Sequence, residues 1–574
     1  MSAQFKIKAA DPASVVRLER ELGLPRFIAA TLVARGIDNP AAVHRFLAPS
    51  LERDWLDPYI IPGLSDVADA LEAAVKRGDH ILVFGDFDLD GISATTVLTR
   101  GLRALGAQAT PFIPLRFEEG YALSQAAITR ACSFGPDFIV TVDCGIACKA
   151  EAAAVVEAGL GLAIPDHHEP VDLVPEGVPV ADPKCDANCP SSILAGVGVA
   201  LKLVQVLGGR LGQPHLWRDF TDFATLGTVA DLMPMRDENR ALVSDGIARM
   251  NAAPRPCIAA LLATSGAADK PVSATNLSFS VIPRLNAAGR MGDAQLALDL
   301  LMTDDFEEAN RLATKLESVN DQRRAIEAEL SEIAKAQAAE IYHGQRALVV
   351  SGESWHEGVK GIVASRLVNT YGVPSLLFTI DGDEARGSGR SVGQVSLFSA
   401  VESASDLLTR FGGHDAAVGV TLPADKLPEF ERRLCAYMDA LPEGAFHPLV
   451  EIDSCVSLDE LTLDNVAQLD KLAPFGQEHP VPVYLARDVM LANCRAVGAE
   501  KNHFSCSLSD GRATVSGIMF HCSDIESLMR TDSVVNAAFE VQIDEWRGRK
   551  SVKAMLQSLA PARTCGALEA CLNP

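Results

Sequence analysis

No uninterrupted apolar run in these 574 residues is long enough to span a bilayer, and the opening MSAQFKIKAA holds no apolar signal segment. Neither membrane insertion nor a secretory route is expected, and the chain reads as cytoplasmic. Positive charge is also in short supply: 51 Lys and Arg stand against 75 Asp and Glu, for a net charge of −24. That balance argues against indiscriminate duplex binding. Net charge governs solubility more than local recognition, however, so a basic channel is still compatible with it. Low-complexity tracts and short-period repeats are absent. The 13 cysteines, with no secretion signal, read as reduced thiols and not as a disulfide framework. What remains is the composition of a folded globular protein, 48% hydrophobic and 22% charged, at a length that predicts three or four domains.

Residues 1–75 read as a helical N-terminal segment with no visible chemistry. From His80 strands alternate with helices: HILVFGDFD, ISATTVLTRGLRALG, ATPFIP, LSQAAITRACSFG, DFIVTVD, CKAEAAAVVEAG and LGLAIPD. This alternation predicts a parallel α/β sheet, with its domain over residues 76–302. Residues 303–343 predict one long helix. Thr303, Asp304 and Asp305 supply an acidic start, and Leu312, Leu316, Val319, Ile326, Leu330, Ile333 and Ile341 keep to one face. About 40 residues would span roughly 60 Å, enough to connect two domains. Residues 344–441 predict a second, smaller α/β domain, and 450–560 a small β-barrel of short strands.

Three acidic motifs carry the chemistry. They are GDFDLDG (85–91), VDCG (142–145) and DHH (166–168), each at the end of a short apolar run. In the first, Asp86, Asp88 and Asp90 alternate, and alternate residues at a strand end share a face. A single βα loop of this kind more often holds helix-capping aspartates. Three acidic strand ends in one domain favour a shared site, because ligands gather at the carboxyl ends of parallel strands. His167 and His168 are adjacent and cannot point the same way on a regular element. Asp231 ends the apolar run ATLGTVA and is favoured over Asp222 as a further acid. Carboxylates mixed with imidazoles suit Mn²⁺ or Mg²⁺, and a pair of such ions commonly activates water against phosphate esters. The pairs Cys144/Cys148 and Cys185/Cys189 have spacings compatible with zinc, but free thiols are the stronger reading.

The motifs DFDLDG, TVDCG, DHH, TLGTVAD, PRLNAAGRM, SGESWHEGVKGIVASRL, GSGRS, FGGH and LAPFG occur in this order. By them the chain resembles the DHH phosphoesterase superfamily, in particular its RecJ family of single-strand-specific 5′→3′ exonucleases. The resemblance implies a parallel-sheet DHH domain, a connecting helix, a DHHA1-like substrate-binding domain and a C-terminal OB-fold. It implies a metal site of Asp88, Asp90, Asp143, His167, His168 and Asp231, with Asp86 as a further ligand and Asp166 as a supporting acid. Two ions, Mn²⁺ or Mg²⁺, would serve phosphodiester hydrolysis. Arg116, Ser388 and Arg390 would bind the 5′-phosphate and Arg290 the strand, with Asn286 and His414 as further donors. Arg284 and His356 are weaker candidates. Phe504, Trp546, Arg547, Arg549 and Lys550 are candidates for stacking and charge on the barrel. Two departures stand out: Asp182-Pro183 replaces the family's Asn-Pro pair, and Gln477-Glu478 replaces Gly-Asn.

The implied function is release of 5′-mononucleotides from single-stranded DNA in recombination and repair. By the same resemblance a single-stranded DNA-binding protein and a RecQ-type helicase are partners, and the chain acts as a monomer. A phosphodiesterase acting on short oligonucleotides or cyclic dinucleotides is a second reading, against which the added barrel speaks. A strand-binding protein without activity is a third, against which the intact acids and histidines speak.

Overall fold

The computed structural model describes residues 4–120, 122–498, 501–522, 525–529 and 534–562. The chain forms two compact units, one of residues 49–325 with 474–480, the other of 1–48, 326–473 and 481–574. Residues 1–75 therefore do not form one segment: those up to 48 cluster with the chain beyond 325.

The first unit is built on a five-stranded parallel sheet. Its order is Gln108–Phe112, His80–Gly85, Phe138–Val142, Gly161–Pro165, Val180–Ala181. All five residues of Phe138–Val142 are buried, as expected of a strand covered on both faces. Numbered along the chain the order is 2-1-3-4-5, so the connection reverses direction between His80–Gly85 and Phe138–Val142. A reversal of this kind opens a crevice at the carboxyl ends of the strands. One core packs the helices Leu89–Ala104, Gly196–Arg210 and Thr221–Ala230 against one face. A smaller core with Phe84, Phe112 and Ile164 lies on the other.

The long helix spans Phe306–Ile341, 36 residues or about 54 Å. Leu312 and Leu316 belong to the core of the first unit, and Leu330, Ala334 and Ala338 to a core of the second. Ile333, expected on the buried stripe, is exposed. The stripe is completed by polar groups instead, with Asn320, Glu327 and Ser331 all buried.

In the second unit a sheet runs Arg410–His414, Ala417–Pro423, Glu384–Arg390, Ser375–Asp381, Leu348–Glu353, with only the last two strands parallel. The glycine-rich GSGRS and FGGH segments thus lie on strands. Gly387 and Gly389 are buried where a Cβ would meet Phe378 and Leu376. Strands Tyr484–Val497, His503–Ser509, Thr514–Met519, Arg549–Pro561 and Val534–Trp546 close into a five-stranded barrel, because the first also pairs with the last. Gln4–Ile7 pairs in parallel with Leu449–Ile452. No described helix is long and apolar enough to cross a membrane.

Candidate metal centre

Three adjacent strand ends of the parallel sheet deliver the acidic motifs. Asp86 follows His80–Gly85, Asp143 follows Phe138–Val142, and Asp166, His167 and His168 follow Gly161–Pro165. The structure brings Asp86, Asp88, Asp90, Asp143, His167, His168 and Asp231 together. They form three overlapping groups, Asp86–Asp88–Asp143, Asp143–His167–His168 and Asp90–His167–Asp231, each with donor atoms within 4.8 Å of one another.

The route to convergence differs from strand alternation. Of the three acids in GDFDLDG, only Asp86 lies at the strand end. Asp88 is the N-cap of Leu89–Ala104, accepting from the Asp90 and Gly91 amides at 2.9 and 3.1 Å. Asp90 lies in the first helical turn, and both its oxygens accept backbone N–H groups, Gly196 at 2.7 Å and Val197 at 3.0 Å. Asp143 sits at φ 60°, a left-handed conformation that aspartate tolerates better than most residues. Asp231 caps the end of Thr221–Ala230, a helix and not a strand. Asp222, at the other end of that helix, is bound to Arg255 at 2.7 Å.

On a regular element His167 and His168 could not point the same way. They lie in a loop, free of strand alternation, with ring centroids 4.5 Å apart, and both reach Asp143. His167 Nε2 stands 3.0 Å from Asp143, 3.7 Å from Asp90 and 3.7 Å from Asp231. Burial, then the neighbouring His168, pushes its pKa down to about 3, so the ring is neutral. Asp166 accepts from His168 Nδ1 at 2.8 Å and from the amides of His167 and Ile146 at 2.7 and 2.9 Å. Burial disfavours charge on His168, yet the Asp166 bond outweighs it and raises the pKa to about 9. With Nδ1 committed to Asp166, Nε2 is the atom left for a cation or, without one, a proton.

Negative charge here exceeds the positive charge that His168 and Arg116 supply. Burial first, then Asp88, raises Asp86 to about 8. Burial, then neighbouring carboxylates, raises Asp90 and Asp143 well above the ordinary range. The buried Oδ1 of Asp86 has no hydrogen-bond partner, and that of Asp143 faces His167 Nε2 at 3.0 Å. A set of hard oxygens and imidazole nitrogens, without thiolate and short of positive charge, fits a pair of Mn²⁺ or Mg²⁺ ions. The described cysteines are all free, and no described group with metal-binding geometry includes one.

Spacing alone did not reveal three glycines that let this cluster close. A Cβ on Gly196 would lie 2.5 Å from Asp143 Oδ1, one on Gly227 2.6 Å from Asp90 Oδ1, and one on Gly289 2.4 Å from the Phe87 carbonyl. Gly227 and Gly289 fall inside the TLGTVAD and PRLNAAGRM motifs, whereas Gly196 had no such signal.

Among the predicted substrate contacts, Arg116 stacks over Phe87 at 4.7 Å and is among the charges that favour ionised Asp86. Asn286 and Arg290 share the helix Ile282–Arg290, brought close to the Asp86–Asp88 loop by Gly289. Arg284 is buried and paired with Glu317, so it serves packing. In the second unit Ser388 and Arg390 alternate along Glu384–Arg390, and Arg390 is joined through Ala417 to His414, so all three share one sheet face. His356 Nδ1 accepts from the Gly358 amide at 3.1 Å. Phe504 is fully buried barrel core and offers no stacking face, whereas Trp546 is 72% exposed with Arg547 over its ring.

Comparison with known proteins yields three domain matches: the DHH family N-terminal domain over residues 80–228, the DHHA1 domain over 344–440 and the RecJ OB domain over 452–558. The single-stranded-DNA-specific exonuclease RecJ of Bacillus subtilis is 33% identical over 562 residues, covering 97% of this chain and 71% of that protein. A crystal structure of Thermus thermophilus RecJ with Mn²⁺ aligns at a TM-score of 0.82 and 29% identity, over 97% of this chain and 79% of that one. The same protein with Mg²⁺ aligns at 0.76 and 27%, over 97% and 78%.

Proposed function

From the premise that this chain belongs to the RecJ family of DHH phosphoesterases, we propose that it is a metal-dependent exodeoxyribonuclease acting on single-stranded DNA from the 5′ end. It releases 5′-mononucleotides and serves DNA recombination and repair. The observation that carries this reading is the convergence of five carboxylates and two imidazoles at one sheet edge. Asp86, Asp88, Asp90, Asp143, His167, His168 and Asp231 would hold two Mn²⁺ or Mg²⁺ ions. When bound, such ions make water nucleophilic near neutral pH and stabilise charge on the scissile phosphate.

The chain's own groups prepare that chemistry. The amides of Gly196 and Val197 hold both oxygens of Asp90, so it cannot rotate out of the cluster. His167 presents Nε2 to three carboxylates, and burial keeps its ring neutral, as a metal ligand requires. Asp166 orients His168 and fixes its tautomer. Hydrolysis joins the water oxygen to phosphorus and expels the 3′ oxygen, which leaves with a proton. Arg116, Asn286 and Arg290 in the first unit are assigned to the strand's phosphates. Ser388, Arg390 and His414 in the second are assigned to phosphate recognition, a role suited to a partly buried guanidinium on a glycine-lined strand. By family, a single-stranded DNA-binding protein and a RecQ-type helicase are proposed partners, with a cytoplasmic monomer as the working form.

Purified protein with Mn²⁺ is given 5′-labelled single strands, duplexes and dinucleotides. Immediate release of labelled mononucleotide from the single strand is expected, and Asp143→Ala should bind the strand but cut it at least about 1,000-fold more slowly. Cleavage of dinucleotides alone would convert the assignment to a small-molecule phosphodiesterase.

A further inference from the structure

A cavity of about 830 Å³ lies in the first unit, away from the carboxylate cluster. The helix Leu89–Ala104 starts at Asp88 and Asp90 and ends at this cavity with Arg100 and Arg103, about 24 Å along its axis. The helix Thr221–Ala230 starts beside the cavity and ends on Asp231. Four guanidiniums line the cavity, those of Arg100, Arg103, Arg249 and Arg255, against three carboxylates.

Each carboxylate is already engaged. Asp304 holds Arg100 at 3.0 Å, Asp222 holds Arg255 at 2.7 Å, and Asp219 lies 3.5 Å from Arg249. Arg100 and Arg255 are also braced over the Phe223 ring, at 5.4 and 4.9 Å. Arg103 is the surplus cation. Its Nε donates to the Ala109 carbonyl at 2.9 Å, and among the described residues it has no carboxylate partner. Partial burial, then the Arg100 charge, holds its pKa below the ordinary value, as befits a cation with no counter-charge. The Nε of Arg249 is buried and has no hydrogen-bond partner. Leu216 and Met302 add apolar wall.

We propose that this cavity binds a small phosphomonoester of nucleotide size, its phosphate on Arg103 and Arg249 and its apolar portion against Leu216 and Met302. Guanidinium forks match phosphate oxygens in two-point geometry, and the volume is within the range of small-molecule sites but far larger than phosphate alone requires. One surplus positive charge limits the site to a single phosphate group. This goes beyond the exonuclease reading and does not depend on it.

Titration calorimetry on the full chain in EDTA tests it, with 5′-dAMP, 5′-dATP and inorganic phosphate as probes. The expected result is saturable dAMP binding weakened at least tenfold by Arg103→Ala and by Arg249→Ala and unchanged by Asp143→Ala. Phosphate should bind more weakly with the same sensitivities, and dATP no more tightly than dAMP. Arg103 is exposed and makes no ion pair, so its variant retains the fold. Absence of saturable dAMP binding, binding indifferent to both arginine variants, or displacement of dAMP by a single-stranded oligonucleotide would overturn the proposal. The nuclease reading is scored separately by the product ladder.

Discussion

Asp182 shows what one atom pair can decide. It stands where the family has asparagine, it is fully buried, and its Oδ2 has no partner, whereas Oδ1 accepts from the Lys184 amide at 2.7 Å. Burial raises its pKa to about 7. A carboxyl raised in this way gives its full stability below about pH 4, and that stability is lost as pH rises through 7. Asp182→Asn should therefore match the parent near pH 4 and exceed it by on the order of 2 kcal/mol at pH 8. Urea unfolding at the two pH values checks this, and an equal difference at both would refute it. At this scale the convergence of the acids and histidines was legible, because residue type and the ends of apolar runs are visible in one dimension. The sequence did not show how the loop turns both imidazoles toward Asp143, nor that Gly196 is the only residue type that fits against that carboxylate.

Among the elements, the ion pair at Asp453 ties chain-distant pieces within the second unit. Arg35 at the end of its helix donates Nε and one terminal nitrogen to the two Asp453 oxygens, both at 2.9 Å. Lys8 lies 3.3 Å away and the Val483 amide 3.1 Å. Burial would raise the Asp453 pKa, but the Arg35 bonds outweigh it and hold the group below the ordinary carboxylate range. The sign is opposite to that at Asp182: this stability is present above about pH 4 and is lost as pH falls through the lowered pKa. Asp453→Asn should cost about 3 kcal/mol near neutral pH, because Arg35 would stay buried without a counter-charge. The difference should shrink in acid, which chemical unfolding across pH 3–7 would register. Helices and strands with clean periods, such as Phe306–Ile341 and Phe138–Val142, were readable from spacing. The strands Glu384–Arg390 and Arg410–His414 were not, because glycine weakens the alternation that marks a strand.

Two compact units predict more than one thermal transition, and divalent cations should move only one of them. Without cations the first unit holds Asp86 raised to about 8, with Asp90 and Asp143 also raised. Its stability is then fullest near pH 4 and drains away as pH rises toward 8. Calorimetry in EDTA should show one transition falling by several degrees from pH 6 to 9, with Mn²⁺ reducing that fall to the part Asp182 contributes. A pH-independent transition in EDTA would contradict it. The overall architecture of parallel sheet, long helix, second sheet and barrel was legible because each part has its own period. The clustering of residues 1–48 with the chain beyond 325 was not, since strand partners far apart in the chain leave no local pattern. Gln4–Ile7 finds its partner only at Leu449–Ile452. At ribosomal speeds of about 5–20 residues per second, that strand waits roughly 20–90 s for its neighbour to be translated. During synthesis it is a strand without its partner, and its docking is a late event in the maturation of the chain.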